Sequence, residues 1–183
     1  MATFLKSLNT SLIDFIQAQH IFFVATAAPD GRINLSPKGR DSLRIIGKNT
    51  VVWLNYTGSG NETAVHLLAQ NRITLMFCSY GPKPLILRLY GSAKVFHTHD
   101  WQKNIDQFQK IAGVRNIFIV NIDSVQTFCR YSVPRYDFKN QRERVLEWGD
   151  RKDQNEINTY WREKNMISID GLPTGLEKEN ETA

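Results

Sequence analysis

The feature that most constrains the fold is a series of short apolar runs, rich in β-branched and aromatic residues, that are separated by turn signals. Pro-Asp-Gly at 29–31 and Gly-Lys-Asn at 47–49 each lie between two such runs, an arrangement typical of antiparallel hairpins. Few helical patterns intervene, which favours an antiparallel barrel or sandwich over a doubly wound α/β sheet. The predicted strands are residues 21–27, 32–36, 44–46, 51–55, 72–79, 85–97 and 116–128.

Helical spacing is expected around these strands. Residues 9–19 place Leu12 and Ile16 on one face, and Ser11 with Asp14 predicts a capping box. The other predicted helices cover residues 62–71, 100–112 and a charged segment at about 139–165, in which Leu146, Trp148, Tyr160 and Trp161 provide apolar groups for docking.

The chain is expected to form one domain over residues 1–173, with the strands at about 20–134. Residues 174–183 are polar and acidic and are predicted to be disordered. Gly91 interrupts the longest strand and predicts a bend or bulge. Alternation along that strand sets Arg88 opposite the leucine face, so Arg88 is expected to point into a polar interior or an interface.

Composition excludes several classes of protein. The chain is 42% hydrophobic and 22% charged, as is usual for a soluble domain, and no apolar run approaches the ~20 residues of a membrane helix. Its start lacks the pattern of a secretory signal. Cys78 and Cys129 form no metal-ligand pattern, so we expect a cytoplasmic protein with reduced thiols, with one long-range disulfide as the alternative.

The formal net charge of +5 does not form a basic stripe. The densest basic group, at 142–152, is interleaved with acidic residues, which is typical of a solvated helix face with paired charges. We therefore expect neither a nucleic-acid partner nor a membrane partner.

Residues 57–61 (Thr-Gly-Ser-Gly-Asn) end one predicted strand and open a helix. Glycine lets the backbone approach a ligand closely, and the first helical turn leaves N–H groups without intrahelical partners, so this junction can hold an anion. Residues 36–39 (Ser-Pro-Lys-Gly) add a hydroxyl, a rigid turn and a cation. We interpret both segments as parts of one site for a phosphate-bearing ligand.

A simpler reading accounts for the same glycines equally well: a turn followed by Asn61 as a helix N-cap. The segment is neither a Walker A loop, since no Gly-Lys-Ser/Thr follows, nor GxGxxG, since Thr63 replaces the third glycine. Glu62 would repel a dianion, so it is expected to favour the helix N-terminus or to hold Lys38 or Arg88 in place.

No catalytic residue or metal site is assigned. His97 and His99 would share one strand face, but no third ligand has a suitable spacing. His20 and His66 are expected to be structural or surface residues. Neither cysteine has the histidine and aspartate neighbours of a nucleophilic site.

Five sequence blocks occur in an order that is more specific than any single glycine loop. They are FFVATAAPDGRINLSPKG at 22–39, WLNYTGSGNETAVHL at 53–67, RITLMFCSY at 72–80, LRLYGSAKV at 87–95 and CRYSVP at 129–134. In this order they resemble the pyridoxamine 5′-phosphate oxidase-like, FMN-binding split-barrel family. The segment SIDGLP at 168–173 extends the resemblance.

The resemblance implies a mainly β (α+β) fold, a six-stranded antiparallel split β-barrel with short flanking helices and a helical C-terminal segment. It also implies a homodimer with two FMN sites at the subunit interface. One segment would lie along the ring and ribityl chain, a second by the phosphate, and a third would reach over from the partner subunit. The segment along the ring and ribityl chain is Asn34, Leu35, Ser36, Pro37, Lys38 and Gly39. The segment by the phosphate is Gly60, Asn61, Glu62 and Thr63, and the segment from the partner subunit is Tyr131, Ser132, Val133 and Pro134.

Two departures from the authentic oxidases narrow the implied activity. Asn61-Glu62 stands where those enzymes have an Arg-Lys pair, and residues 146–165 lack their Arg-Leu-His-Asp-Arg-like segment. Oxidation of pyridoxamine phosphate itself is therefore not expected. The expected function is FMN-dependent oxidation or reduction of an unknown small molecule, with a deazaflavin as the less favoured ligand. The alternative is a non-catalytic module that binds flavin, deazaflavin or haem.

Overall fold

The computed structural model describes residues 2–97, 108, 113–128 and 132–176. These residues form eight strands and four helices. In chain order the elements are β1 (Thr3–Leu5), α1 (Thr10–Gln17), β2 (Ile21–Thr26), β3 (Asn34–Gly39), β4 (Leu43–Gly47), β5 (Thr50–Tyr56), α2 (Glu62–Ala69), β6 (Ile73–Cys78), β7 (Ile86–His97), β8 (Val114–Phe128), α3 (Arg144–Asp150) and α4 (Gln154–Lys164).

All strand pairs are antiparallel, and the strand order is β3-β2-β6-β7-β8-β5-β4, with β1 added alongside β8. Each predicted strand corresponds to one of β2 to β8, which confirms the mainly β, antiparallel class. The six-stranded barrel implied by the family resemblance was wrong in its strand count: seven strands follow one another in the sheet, and β1 is an eighth. β1 was missed because its three residues are too few for a period-two pattern to be read.

A stack of aromatic rings fills the concave side of the sheet. Trp53 on β5 stacks on Phe118 of β8 with ring centroids 4.1 Å apart, and Phe22 packs edge-on against Trp53 and stacks on Phe77. Leu12 and Ile16 of α1 pack against the same core. Burying each such side chain contributes about 1.5–3 kcal/mol, so these contacts are a main source of stability for the sheet that carries the site.

The start of α1 differs from the prediction. Asn9 is the N-cap, and its side chain accepts a hydrogen bond of 3.0 Å from the backbone N–H of Leu12. The predicted capping box of Ser11 with Asp14 was wrong, because the helix begins at Thr10 and Ser11 already lies within its first turn.

The charged segment after the sheet forms α3 and α4 rather than one continuous helix. Trp161 of α4 is buried and donates a hydrogen bond of 2.9 Å from its indole N–H to the Thr57 hydroxyl, so this segment docks as expected. Thr174 and Leu176 are also buried, although disorder was predicted from residue 174 onward. Residues 177–183 and the predicted helix 100–112, apart from Phe108, lie outside the described residues.

None of the helices in the described ranges has the length and apolar character needed to cross a lipid bilayer.

The bulge predicted at Gly91 is present. The pairing of β7 with β8 shifts register between Tyr90 and Gly91. A Cβ atom placed on Gly91 would lie only 1.9 Å from the backbone carbonyl oxygen of Asn121. Glycine is therefore required here so that the two longest strands can approach each other.

Replacing this glycine should damage the sheet. Gly91→Ala is expected to lower the free energy of unfolding by about 2–4 kcal/mol, because backbone atoms of β8 must move. Gly47→Ala is the matched control, since the nearest atom to its added Cβ would be 3.9 Å away. Urea denaturation of both variants measures the difference, and equal midpoints would contradict this account of the bulge.

Candidate functional site

The inner face of β3 is polar and its outer face is apolar, the reverse of an ordinary edge strand. Asn34, Ser36 and Lys38 are half-buried and point inward, whereas Leu35 and Pro37 are exposed. Residues 36–39, predicted as a rigid turn, lie within this strand. Pro37 is tolerated because β3 is at the end of the described sheet. An inward polar row is the arrangement expected of a strand that lines a binding site.

Lys38 is held inside the concave face. Its Nζ donates a hydrogen bond of 3.2 Å to Oδ1 of Asn55 and lies 5.6 Å from the centre of the Trp53 ring. Burial, and secondarily the positive charge of Arg115, lower the pKa of Lys38 from 10.5 to about 8. This ammonium group is consequently charged at neutral pH, but its positive charge is poorly balanced by its surroundings.

Arg115 is the functional residue that sequence reasoning missed. The pairing of β5 with β8 slips at one point, since Asn55 faces Asn116 while Tyr56 faces Val114, and Arg115 is the extra residue of this bulge. A bulge re-aims side chains, so Arg115 and Asn116 both lie inside instead of on opposite faces. The available signal was a consecutive Arg-Asn pair directly before the apolar run Ile-Phe-Ile-Val at 117–120.

The Arg115 guanidinium holds the glycine loop from beneath. It is only 2% exposed and donates to the carbonyl oxygens of Gly60 (2.9 Å) and Gly58 (3.4 Å), and also to the side chain of Asn165. Burial lowers the pKa of Arg115 to about 10. No carboxylate forms an ion pair with Arg115 or Lys38 within the described residues.

A chain of side-chain amides joins these two cations. Asn55 donates from Nδ2 to Oδ1 of Asn116 (3.4 Å), and Arg115 Nε donates to the same oxygen (3.2 Å). The Asn116 amide is also hydrogen bonded to Nδ1 of His97 at 2.8 Å. Segments 36–39 and 57–61, far apart in sequence, are thus connected through a buried polar network that starts at Lys38.

The start of α2 faces β3, as the two-segment interpretation requires. Asn34 donates from Nδ2 to the Thr63 hydroxyl at 3.2 Å. Asn61 occupies the N-cap position and its backbone carbonyl accepts from Ala64, but its side chain makes no capping hydrogen bond. The interpretation of Asn61 as a helix N-cap is therefore right about its position, but its side chain does not form the capping hydrogen bond.

The buried polar atoms without a protein hydrogen-bond partner cluster at this place. In the described ranges they are Ser36 Oγ, Trp53 Nε1, Glu62 Oε2 and both Oδ1 and Nδ2 of Asn61, a residue only 2% exposed. Leaving such groups unpaired costs about 1–3 kcal/mol each. Their concentration beneath β3 and at the start of α2 indicates that a polar ligand completes their hydrogen bonding.

Glu62 is oriented by a later segment of the chain. Its Oε1 accepts a hydrogen bond of 3.1 Å from the Ile169 backbone N–H, and the described residues contain no ion pair of Glu62 with Lys38 or Arg88. Of the two roles expected for Glu62, holding one of those cations was wrong, whereas its place in the first turn of α2 agrees with the other role, favouring the helix N-terminus. Arg88 instead lies over the Phe128 ring, 4.8 Å from its centre.

Residues 168–173 are fixed beside the site. The backbone N–H of Arg32 donates to Asp170 at 2.7 Å, and its guanidinium forms an ion pair with the same carboxylate. This backbone hydrogen bond, with the Arg32 guanidinium, holds the pKa of Asp170 below its ordinary value. The segment thereby joins the β2–β3 turn to the start of α2.

The remaining predicted residues that the structure describes are not brought into this network. Tyr131 lies outside the described residues, and no hydrogen bond within the described part of the chain links Ser132, Val133 or Pro134 to the other segments. Leu35 points outward. Their assignment to the site stays a prediction.

The histidines show no metal-binding arrangement in the described residues. No three His, Cys, Asp or Glu side chains there could hold a metal ion. His66 is buried and hydrogen bonded to Thr26 at 3.1 Å, as a structural histidine would be. His99 and Cys129 lie outside the described ranges.

Comparisons with known proteins agree on one family for this chain. Residues 9–129 match the family model described as pyridoxamine 5′-phosphate oxidase. The chain is 32% identical over 194 residues to ustO of Aspergillus flavus, a pyridoxamine 5′-phosphate oxidase family protein, and the match covers 94% of this chain and 78% of that protein.

Two solved structures share the fold at low sequence identity. A pyridoxamine 5′-phosphate oxidase-like protein from Lactobacillus delbrueckii superposes with a TM-score of 0.54 at 17% identity, covering 66% of this chain and 94% of that protein. HupZ of Group A Streptococcus gives 0.50 at 19% identity, covering 71% of this chain and 99% of HupZ.

Arg115 should be essential for the stability of the site. Arg115→Met is expected to cost about 2–4 kcal/mol in unfolding free energy, because two loop carbonyls and two asparagine side chains lose their donor. Arg151→Met is the control, since Arg151 is exposed and its nearest contact to Glu147 is 3.9 Å. If chemical denaturation gave both variants the stability of the unmodified protein, Arg115 would not be the support of the loop.

Proposed function

The chain belongs to the pyridoxamine 5′-phosphate oxidase family, and we propose that it binds FMN between β3 and the start of α2 and acts as a flavin-dependent oxidoreductase on a small molecule. The observation that carries the proposal is the cluster of unpartnered buried polar atoms on Ser36, Asn61 and Glu62. They lie beside the half-buried Lys38 and the buried Arg115, two cations that have no carboxylate partner among the described residues.

The donor and acceptor set fits a flavin nucleotide. Such a ligand has a flat ring with a polar edge, a chain of hydroxyls and a phosphate, so it needs donors, acceptors and positive charge within one cleft. Lys38 and the Asn61 amide provide donors, while Glu62 Oε2 and the Ser36 hydroxyl accept hydrogen bonds from hydroxyl groups. The first turn of α2, together with Thr63, adds backbone and hydroxyl groups suited to an anion.

Each of the proposed residues has a different role in binding. A bound flavin supplies the redox chemistry, since it can accept or give two electrons. Lys38 supplies a positive charge, and its ammonium group lies 5.6 Å from the centre of the Trp53 ring. The Asn34–Thr63 hydrogen bond fixes the distance between β3 and α2, and Arg115 keeps the glycine loop in place without itself contacting the ligand.

Residues 146–165 argue against pyridoxamine 5′-phosphate as the substrate of this chain, because they lack the Arg-Leu-His-Asp-Arg-like segment with which the authentic oxidases hold the substrate phosphate. Glu62 is aligned by the Ile169 backbone N–H at the helix start, where its other oxygen can accept a hydrogen bond from a ligand. We propose a small substrate that carries hydrogen-bond donors and lacks a phosphate.

Removing the charge of Lys38 tests the cofactor proposal. Lys38→Met keeps the contact with Trp53 and is expected to weaken FMN binding about tenfold or more, as for the loss of a charge-assisted hydrogen bond. Lys48→Met, at the exposed β4–β5 turn, should leave the affinity unchanged. Fluorescence titration with FMN measures both, and the absorption spectrum of the purified protein with mass spectrometry of the released ligand distinguishes FMN from a deazaflavin or haem.

The same titration has a defined pH dependence. Lys38 is charged below its pKa of about 8 and neutral above it, so FMN affinity should fall as the pH rises from 7 to 9. Lys38→Met should remove this dependence. Equal FMN affinity of the two proteins at every pH would show that Lys38 does not belong to the FMN site. If the unmodified protein binds no flavin, the cofactor proposal is refuted, although the family and the fold are unaffected.

A homodimer forms the second part of the proposal. Leu35 on the outer face of β3 and Ile33 directly before this strand are 63% and 77% exposed, and the Asp170–Arg32 pair places a further exposed group beside them. The members of that group are Ile167, Ile169 and Leu172. An apolar surface next to the site is what two subunits sharing FMN sites would bury, with residues 131–134 of each reaching the other.

Introducing a charge into this surface tests the dimer. Leu35→Glu is expected to shift the mass measured by light scattering from two chains to one, because a carboxylate would be buried in the interface. It should also weaken FMN binding if residues 131–134 of the partner complete the site. Ile46→Glu, which likewise replaces an exposed aliphatic residue by glutamate, is the control. A Leu35→Glu protein with the mass of the unmodified one would refute this interface.

A further inference from the structure

The two asparagine side chains between Lys38 and Arg115 have a defined direction. An asparagine amide has nearly the same shape in either orientation, so its hydrogen-bond partners decide which end is the oxygen. Lys38 and Arg115 can only donate hydrogen bonds, so each of them requires an amide oxygen. Lys38 Nζ lies 3.2 Å from Oδ1 of Asn55. Arg115 Nε lies 3.2 Å from Oδ1 of Asn116, so the two cations fix both amides.

The contact between the two amides agrees with this direction. With its oxygen on Lys38, Asn55 presents Nδ2 to Asn116, whose Oδ1 accepts at 3.4 Å. Asn116 then turns its own Nδ2 to Nδ1 of His97, at 2.8 Å. Asn55 and Asn116 are 3% and 0% exposed, so water does not compete for these groups. Reversing either amide would place donor against donor in the protein interior, which strongly disfavours the reversed state.

The surroundings of Lys38 give this direction its importance. The groups that face Lys38 from β2 and β5 are neutral: Phe22, Trp53 and Asn55. Arg115 of β8 adds a like charge. An ammonium group has three N–H donors, and Asn55 accepts from one of them. A neutral carbonyl oxygen orients this group and leaves its charge and its other donors for a ligand, whereas a carboxylate would cancel the charge.

We propose that Asn55, held in direction by Asn116, is a positioning residue of the flavin site that aims the Lys38 ammonium group at the ligand and keeps its charge available. This inference rests on the proposed function, since it takes FMN as the ligand of Lys38. Asn55 acts through Lys38 and not by contact with the ligand, because both ends of its buried amide are already hydrogen bonded.

Two substitutions of Asn55 should move the pKa of Lys38 in opposite directions. Asn55→Asp places a negative charge of the same shape beside the ammonium group, which should raise the pKa of Lys38 from about 8 to about 9 or above. Asn55→Leu removes the acceptor and should lower this pKa to about 7 or below. NMR titration of carbon-13-labelled lysine side chains in the ligand-free protein measures the pKa, and the Lys38 signal is identified by its loss in Lys38→Met.

The FMN affinity should follow these pKa values. In fluorescence titrations, the pH at which FMN affinity falls should move up by about one pH unit in Asn55→Asp and down by about one in Asn55→Leu. At neutral pH Asn55→Asp should also bind FMN about tenfold more weakly, because its carboxylate cancels the charge offered to the ligand. A purely structural role of Asn55 would lower the stability of both variants and leave this pH unchanged.

Asn121→Asp is the matched control. It adds the same negative charge to the same sheet, but Asn121 is exposed and pairs with Thr50 at the other end of β5 from Asn55. It should change neither the pKa of Lys38 nor the FMN affinity.

The pKa and the affinity are measured separately so that two kinds of failure are distinguished. Opposite pKa shifts that the FMN affinity follows would support the positioning role, and either variant alone gives its own direction if the other does not fold. An unchanged pKa of Lys38 would overturn this role even where the unmodified protein binds FMN. Shifted pKa values without a matching change in affinity would also overturn it. Failure of the proposed function is instead seen as an unmodified protein that binds no FMN at any pH, which would remove the ligand and this role together.

Discussion

The architecture of the candidate site depends on one buried guanidinium group. Arg115 enters the interior because a bulge in β8 turns it inward, and it is then satisfied by two backbone carbonyls and two asparagine side chains instead of a carboxylate. A buried ion pair would have neutralised the charge locally. Binding by neutral oxygens fixes the loop and leaves the positive charge in the site.

The charges around the cleft form an asymmetric pattern. Lys38 and Arg115 lie deep within it, and the acidic groups, Glu62 and Asp170, are held at its edge by backbone N–H groups of Ile169 and Arg32. This separation lets a single ligand meet positive charge with one part and acceptor groups with another. It also explains how a site without the Arg-Lys pair of the authentic oxidases can retain a positive interior.

The sequence predicted the parts of the fold that follow local rules. All seven predicted strands correspond to observed strands, and Gly91 marked a real bulge, because period-two alternation and the absence of a Cβ atom have direct structural consequences. Segments 36–39 and 57–61 were interpreted from their chemistry as parts of one site, and in the structure hydrogen bonds link them from Lys38 to the carbonyl oxygens of Gly58 and Gly60.

What escaped prediction depends on contacts between distant residues. Arg115 is separated from the loop it supports by more than fifty positions, and its inward direction arises from a register shift between two strands that no single segment records. Which face of β3 is covered depends on its pairing with β2, so the sequence does not show that the polar face lies inward. The docking of Asp170 on Arg32 joins residues 138 positions apart and has no local signature.

The attachment of residues 168–173 has a consequence for the order of assembly. Every strand precedes this segment in the chain, so the sheet can form during synthesis before Ile169 is available to align Glu62. Until then the Glu62 carboxylate lacks the N–H that orients it, and the β2–β3 turn is not tied to α2. Maturation of the binding cleft is therefore a late event in biosynthesis, later than formation of the core that supports it.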